Sequence, residues 1–209
     1  MLWKHEKLRW LDSACNNKEL AERYDQFARD YESVFKQELA YCGPQLAAEF
    51  VDRHVPREAK ILDAGAGTGL MGRVLNELGY RRLTAIDMSQ GMLAEARKKN
   101  VYYELHCMVL GETLGFATDC FDAVVATGVF AAKHASPAAF EELIRITNPG
   151  GYIIFTLRPD VCEDYGFREK QDALVAANKW RLVEVSDKLR QIPKGEPDVY
   201  HQVWVYQVT

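Results

Sequence analysis

The stretch Lys60-Ile-Leu-Asp-Ala-Gly-Ala-Gly-Thr-Gly-Leu-Met-Gly72 decides the fold of this chain. Its apolar start, Ile61 and Leu62, predicts a buried strand, and the glycines after it predict a tight turn that leads into a helix. Glycine permits positive φ and lets a ligand approach the backbone closely. The new helix presents unpaired N–H groups and the positive end of its dipole. Such a turn suits a nucleotide-like cofactor.

Two interpretations of the glycines differ in where the strand ends. The segment 67–72 fits the dinucleotide fingerprint G-x-G-x-x-G, whose first glycine directly follows the strand. Here Gly65 holds that place and Gly67 comes too late. Asp63 also argues against a pyrophosphate, which a carboxylate would repel, and favours a cationic cofactor. A turn that binds no cofactor is the third interpretation, because one glycine-rich turn is weak evidence.

Length and composition bound the class of protein. The chain has 209 residues, 48% of them hydrophobic, and a formal net charge of −4. These values predict a single domain with a full core and argue against non-specific nucleic-acid binding, which needs a basic face. Five scattered cysteines without a C-x-x-C pair disfavour a disulfide framework or zinc site. Without a bilayer-spanning apolar run or the apolar core of a signal peptide, we expect no membrane association and a cytoplasmic or nuclear protein.

Strands alternate with helices along most of the chain. The apolar patterns predict strands at 60–64, 83–87, 102–109, 121–126, 152–157, 181–185 and 199–208. Helices are expected at 69–78 and 90–100 and within 159–178. Another helix should begin after Ser136, which would act as its N-cap. A sharp turn is expected at 148–151. This order implies an α/β fold with a doubly wound, mostly parallel sheet of seven strands. The last two strands have no helix between them, so an antiparallel hairpin should end the sheet.

The single domain is expected to consist of an N-terminal helical cover, residues 1–58, and a Rossmann-like core, residues 59–209. Asn16 should cap the first long helix, with Glu19 reaching back toward it. A second helix should end near Pro56. One apolar stripe runs along the first helix through Leu20, Tyr24, Phe27, Ala28 and Tyr31. The stripe is expected to pack on the core, and a compatible alternative is that its aromatic rings also cover the cofactor as a lid.

Five segments in this order resemble the class I S-adenosylmethionine (SAM) dependent methyltransferases. They are Tyr24–Tyr31, Asp63–Gly69 with the pattern D-x-G-x-G-x-G, Asp87–Leu93, Phe121–Val125 and Asn148–Gly151. Each segment is weak alone, but their order and spacing over residues 20–160 are strong together. Within the class, the chain is most similar to the methyltransferase-like proteins of the Williams–Beuren syndrome region, through 24–28 and 110–112. Few substrates are assigned to members of that family, so the resemblance supports a cofactor more strongly than it supports any particular methyl acceptor.

The resemblance implies SAM as the cofactor and S-adenosylhomocysteine (SAH) as its product. Asp63 would bind the ammonium group, directly or through water, or tie the turn together. Gly65 and Gly67 would let the backbone meet the methionyl part. The expected cofactor-binding residues are Tyr24, Tyr31, Asp63, Gly65, Ala66, Gly67, Gly69, Asp87, Met88, Gly111, Glu112 and Thr127.

The second strand and the segment after the third carry the remaining cofactor predictions. Asp87 ends the second strand, where an acid can accept both ribose hydroxyls, although it could also be a solvated loop acid or a helix cap. Met88 would lie along the adenine unless it belongs to the core. Many class I members place an acid for the adenine amino group where this chain has Leu110. Glu112 or backbone groups near Gly111 are the alternatives there.

No catalytic residue is assigned from the sequence. His134 ends the loop after the fourth strand and could act as a general base, although a loop histidine more often has no catalytic role. Tyr152, Tyr165 and His201 are weaker candidates, and no His/Glu cluster indicates a metal. We therefore predict methyl transfer by positioning alone, to an unidentified acceptor that is a small molecule in preference to a protein. A non-catalytic SAM-binding or adaptor protein and a nicotinamide-dependent oxidoreductase are the alternatives; the oligomeric state is left open.

Overall fold

The computed structural model describes residues 4–131, 134–194 and 196–209. The strands are β1 (Lys60–Ala64), β2 (Arg82–Asp87), β3 (Glu104–Cys107), β4 (Phe121–Ala126), β5 (Thr147–Leu157), β6 (Trp180–Val185) and β7 (Gln202–Val208). They form one sheet in the order β3-β2-β1-β4-β5-β7-β6. The first five strands are parallel, and β7 is antiparallel to both β5 and β6. The predicted seven-stranded, doubly wound sheet with an antiparallel end is confirmed.

Helices cover both faces of the sheet. They are α1 (Glu6–Asp12), α2 (Asn17–Ser33), α3 (Gly43–His54), α4 (Leu70–Glu77), α5 (Gln90–Arg97), α6 (Ala139–Ile146), α7 (Pro159–Asp164) and α8 (Phe167–Ala176). A π-helical turn, Val34–Glu38, continues α2 without a break. Among the described residues, no helix combines the length and the apolar character needed to cross a bilayer.

Alternate residues of β1 enter two separate cores. Ile61 packs in a cluster with Val51 of α3 and Leu75 of α4, whereas Leu62 packs with Phe140 of α6 on the other face. Successive side chains of a strand point to opposite faces, so a strand with both faces covered is apolar throughout. β1 pairs with β2 on one side and with β4 on the other. The strand order therefore reverses at β1, and a crevice at the carboxyl ends of β1 and β4 follows from this topology.

The long helix α2 begins as predicted. The Asn16 side chain accepts a hydrogen bond from the Glu19 N–H at 2.9 Å. The Glu19 carboxylate reaches back, but it accepts from the Cys15 N–H at 2.8 Å and not from the N–H of the cap residue. Within the apolar stripe, Leu20 and Phe27 are buried in the interior.

An acid on α2 fixes the cover to the sheet. Asp25 Oδ1 accepts from the Ser89 hydroxyl at 2.6 Å and from the Gly91 N–H at 2.7 Å. A Cβ at Gly91 would lie 2.8 Å from the Asp25 Cα, so only glycine allows this approach. The cover is thus held over the start of α5, beside the carboxyl ends of the strands.

Three local predictions are wrong. The helix α6 begins after Ala138, which makes no side-chain cap, so Ser136 does not cap it. The expected turn at 148–151 lies inside β5, where the pairing with β4 shifts register and Gly150 takes a φ of 81°. The single helix expected within 159–178 is divided into α7 and α8 by Gly166, whose φ is 75°. In the last two cases, a glycine at positive φ allows a local irregularity that apolar patterns do not encode.

Candidate functional site

A cavity lies at the carboxyl ends of β1, β2 and β4; we call it the strand-end cavity. Its volume is about 680 Å³ including its mouth, within the range of small-molecule sites. Of the expected cofactor-binding residues, seven line it: Tyr24, Tyr31, Gly65, Gly67, Asp87, Met88 and Thr127.

The other five expected residues, Asp63 among them, do not line the cavity. Ala66 lines a small cleft that shares Gly65 and Gly67 with the cavity. Gly69 does not line the cavity; it is the N-cap of α4, with a φ of 85°. Gly111 and Glu112 also lie outside it, and both are exposed. The expected use of Glu112 for the adenine amino group therefore has no support in this geometry.

Asp87 is held by the backbone of two loops. Its Oδ2 accepts a hydrogen bond from the Gly67 N–H at 2.8 Å, and its Oδ1 accepts from the Ser89 N–H at 2.9 Å. Burial raises the pKa of this carboxyl above its usual value, while the two hydrogen bonds oppose the shift. Each carboxylate oxygen has further lone pairs, so the fixed carboxylate can accept two hydroxyl groups of a ligand.

Asp63 lies beneath the glycine turn and is 1% exposed. Its Oδ2 accepts from the Tyr102 hydroxyl at 2.5 Å, while its Oδ1 has no hydrogen-bond partner among the described residues. Burial raises the pKa of Asp63 to about 7; the negative charge of Asp87 adds to this, and the Tyr102 hydrogen bond opposes it. A buried carboxylate with one unpartnered oxygen is stabilised by a cation.

Tyr102 is a site residue that the sequence analysis missed. Its hydroxyl also accepts from the Gly72 N–H at 3.1 Å and so joins β1 to α4. A Cβ at Gly72 would lie 2.2 Å from the Tyr102 ring. Gly72 was the residue in the sequence that could have indicated this contact, because only a glycine there leaves room for the ring.

One wall of the strand-end cavity is apolar and rich in sulfur. It contains Met88, Met92, Met108 and Leu110. Methionine adapts to irregular shapes and makes favourable contacts with flat rings, so this wall suits an aromatic base. Met92 and Met108 were not expected there; the pattern of α5 indicated only that Met92 is buried.

The opposite wall comes from the cover. Tyr24 and Tyr31 of α2 line the cavity, and the Tyr31 ring stacks on Phe35 with centroids 4.0 Å apart. The Tyr24 hydroxyl lies 2.9 Å from Nε2 of His134. The apolar stripe of α2 therefore occupies both places that were predicted for it. Its aliphatic residues and Phe27 pack on the interior, and its two tyrosines line the cavity.

A second cavity, which we call the cover cavity, lies between the strand ends and the helices α1 and α2. Its volume is about 720 Å³ including its mouth, and it shares Tyr24, Tyr31, Gly128 and His134 with the strand-end cavity. The two cavities are therefore neighbours with a common wall. No group of three or more His, Cys, Asp and Glu is placed to hold a metal ion in the part of the chain that the structure describes.

A methyl group added at Gly67 should separate ligand binding from stability. Gly67 and Gly150 both have positive φ, 54° and 81°, and a Cβ at either meets no atom within 4 Å. Alanine at either position should cost about 1–2 kcal/mol in the free energy of unfolding, because of the left-handed backbone. Only Gly67 lines the strand-end cavity, so Gly67→Ala should also weaken nucleoside binding at least about tenfold, as a clash of about 1.4 kcal/mol would.

Thermal melts and calorimetric titration of both variants with SAH provide the measurement. Gly150→Ala is the matched control for backbone strain. Equal binding by the two variants would show that no ligand lies against the backbone at Gly67.

Comparison with known proteins gives a consistent result for the sequence. A family model described as a methyltransferase domain matches residues 62–155. Methyltransferase-like protein 27 of Homo sapiens is 34% identical over 139 residues, which are 65% of this chain and 56% of that protein. The chain thus spans little more than half the length of this relative. Demethylmenaquinone methyltransferase of Mycolicibacterium paratuberculosis is 30% identical over 195 residues, 88% of this chain and 76% of that protein.

Solved structures match the fold. The Burkholderia thailandensis 1,6-didemethyltoxoflavin-N1-methyltransferase, solved with 1,6-didemethyltoxoflavin and SAH, superposes with a TM-score of 0.66 at 19% identity. The match covers 91% of this chain and 87% of that chain. At this identity, the likeness establishes the shared architecture.

Proposed function

Because the chain belongs to the class I SAM-dependent methyltransferases, we propose that it transfers the methyl group of SAM to a small-molecule acceptor. The observation that carries this proposal is the pair of acids at the glycine turn, Asp63 buried and Asp87 partly buried. Asp63 has an unpartnered oxygen and a pKa raised to about 7, so the site is short of positive charge. A ligand with an ammonium and a sulfonium group supplies that charge, whereas a dinucleotide pyrophosphate would add to the repulsion.

The described residues fit each part of SAM. Asp87, fixed by two backbone N–H groups, would accept the ribose hydroxyls, and Asp63 would bind the ammonium. The methionine-lined wall would hold the adenine ring, with backbone groups near Leu110 for its amino group. The turn at Gly65 and Gly67 would lie along the methionyl part. When bound, SAM supplies an electrophilic methyl group and leaves as the neutral thioether SAH.

The acceptor site in this proposal is the cover cavity. It shares a wall with the strand-end cavity, so an acceptor there would lie next to the methyl donor. A concave site of about 720 Å³ including its mouth fits a small molecule better than a folded protein surface. Holding two reactants in this geometry can contribute about 7–11 kcal/mol to the acceleration. The cover excludes water from the reaction.

Location is also part of the proposal. The five cysteines, all within the described part of the chain, are unpaired. Unpaired cysteines are the rule in reducing compartments. We therefore place the reaction in the cytoplasm or the nucleus, with no membrane or nucleic-acid partner.

The main alternative is a protein that binds SAM without using it, because the same fold also serves non-catalytic proteins. Incubation with methyl-labelled SAM and a small-molecule extract distinguishes the two. We expect label to appear in a low-molecular-weight product and to be absent with the Asp87→Ala variant. Binding of SAM without label transfer to any metabolite or protein fraction would favour the non-catalytic alternative.

A further inference from the structure

The end of the cover cavity that is remote from the strand-end cavity is lined by unpartnered polar groups. Gln191 is 1% exposed, and its Nε2 has no hydrogen-bond partner among the described residues. Its backbone carbonyl accepts from the Cys42 N–H at 2.9 Å, which fixes the residue in place. His201 lines the same end, and its Nδ1 is also buried with no partner in the part of the chain that the structure describes. Buried polar atoms without partners are costly, so two of them on one cavity wall indicate a polar ligand.

A positive charge lies at the same end. Arg158 lines the cover cavity and makes two contacts with the Asp160 carboxylate, at 3.0 Å and 2.5 Å. Burial, together with the nearby charge of Arg158, lowers the pKa of His201 to about 4, so this imidazole is neutral at pH 7. An amide N–H₂, a neutral imidazole and a guanidinium together favour an oxygen acceptor, carbonyl or carboxylate, over a cation.

His134 lies at the end of the cover cavity that meets the strand-end cavity, because it lines both. Its Nε2 lies 2.9 Å from the Tyr24 hydroxyl, and its Nδ1 is buried with no hydrogen-bond partner among the described residues. Burial lowers the pKa of His134 below its usual value against the opposing charge of Asp12, which favours the neutral ring. When Nε2–H donates to the Tyr24 oxygen, Nδ1 carries a free lone pair that can accept a proton. Leu11, Phe35 and Ile192 supply apolar surface in the same cavity, and the Asp12 carboxylate also lines it.

We propose that the cover cavity binds a hydroxy acid or hydroxy ketone: the hydroxyl lies at His134, and the carboxylate or carbonyl lies at Gln191 and His201. This inference rests on the proposed function. The acceptor oxygen bonds to the methyl carbon as the carbon–sulfur bond breaks, and that electron pair stays on the sulfur of SAH. The hydroxyl proton passes to Nδ1 of His134 and then to solvent. A carboxylate as the attacking group would need no such base, because it is already ionised at pH 7.

Three ring compounds of similar size test the two ends separately: p-hydroxyphenylpropionate, phenylpropionate without the hydroxyl, and p-propylphenol without the carboxylate. Calorimetry first establishes that SAH binds, and each compound is then titrated into the SAH-saturated protein. Hydrogen bonds to a charged group are stronger than those between neutral groups, and only the acids can accept them at Gln191. The hydroxy acid should therefore bind at least about tenfold more tightly than p-propylphenol, and more tightly than phenylpropionate.

Two variants assign these differences to residues. Gln191→Leu should weaken both acids and leave p-propylphenol unchanged, while His134→Phe should remove the advantage of the hydroxyl. Gln45→Leu, an exposed position on α3, is the control for the substitution. Equal binding of the three compounds, absence of binding by the hydroxy acid, or differences that survive in both variants would overturn the inference. If SAH itself does not bind, the proposed function fails as well; if SAH binds without any preference for the acid, only this inference fails.

Discussion

Replacing Asp87 with alanine should weaken SAH binding at least about a hundredfold. The carboxylate is fixed by the Gly67 and Ser89 N–H groups at 2.8 and 2.9 Å, and in our account it accepts two ribose hydroxyls. Two hydrogen bonds to a charged group contribute about 3–6 kcal/mol together. The variant also releases the two backbone donors, so the glycine turn loses part of its preorganisation. Isothermal titration with SAH at pH 8 measures the effect.

Two controls separate a lost ligand contact from a lost fold. Asp30→Ala removes an exposed acid from the cover and should leave SAH binding unchanged. Asp87→Asn keeps one acceptor oxygen and should fall between the wild-type protein and the alanine variant. An Asp87→Ala protein that melts like the wild type and binds SAH with unchanged affinity would remove Asp87 from the site.

The affinity for SAH should depend on pH through Asp63. Its pKa is raised from 3.8 to about 7 in the ligand-free protein, and an ammonium beside its free oxygen would lower it again. Binding then releases a proton below pH 7, so affinity should fall about tenfold for each pH unit from 7 toward 5 and level off above 7. Asp63→Asn should bind SAH at least about tenfold more weakly at pH 8, with a flat pH profile. A profile that is unchanged in Asp63→Asn would assign the titration to another group.

The same carboxyl should lower stability at alkaline pH. The pKa is higher in the folded than in the unfolded chain, so the folded state holds the extra proton between about pH 4 and 7 and stability falls as pH rises through that window. Above pH 7 this contribution to the free energy of unfolding is fully lost, on the order of 4 kcal/mol for a pKa raised from 3.8 to about 7. Asp63→Asn should therefore melt at a higher temperature than the wild type at pH 8, with little difference near pH 4. A lower melting temperature at both pH values would mean that Asp63 stabilises the turn instead.

The glycine turn and Asp87 were predictable because their signals are local. A buried apolar strand followed by spaced glycines has few other interpretations, and an acid at the end of the next strand falls at the same edge of the sheet. Tyr102 was not predictable in the same way. It lies between α5 and β3 and reaches Asp63 and Gly72 only because β3 pairs with β2 and β2 pairs with β1.

The cover cavity also depends on contacts between distant parts of the chain. The N–H groups of Lys4 and His5 both donate to the Glu196 carboxylate, which is 2% exposed. The Lys194 N–H donates to the Leu39 carbonyl at 3.3 Å. The loop before β7 is thereby joined to the start of α1 and to the end of the π-helical turn. No local pattern predicts these pairs, so the sequence indicated a lid but not the second cavity under it.

The most direct test of the central claim is calorimetric titration of the pure protein with SAH, SAM and NAD. We expect SAH and SAM to bind at one site per chain and to displace each other, and NAD to produce no heat of binding. Absence of SAH and SAM binding at millimolar concentration, with the protein folded, would contradict the account and leave only the architecture.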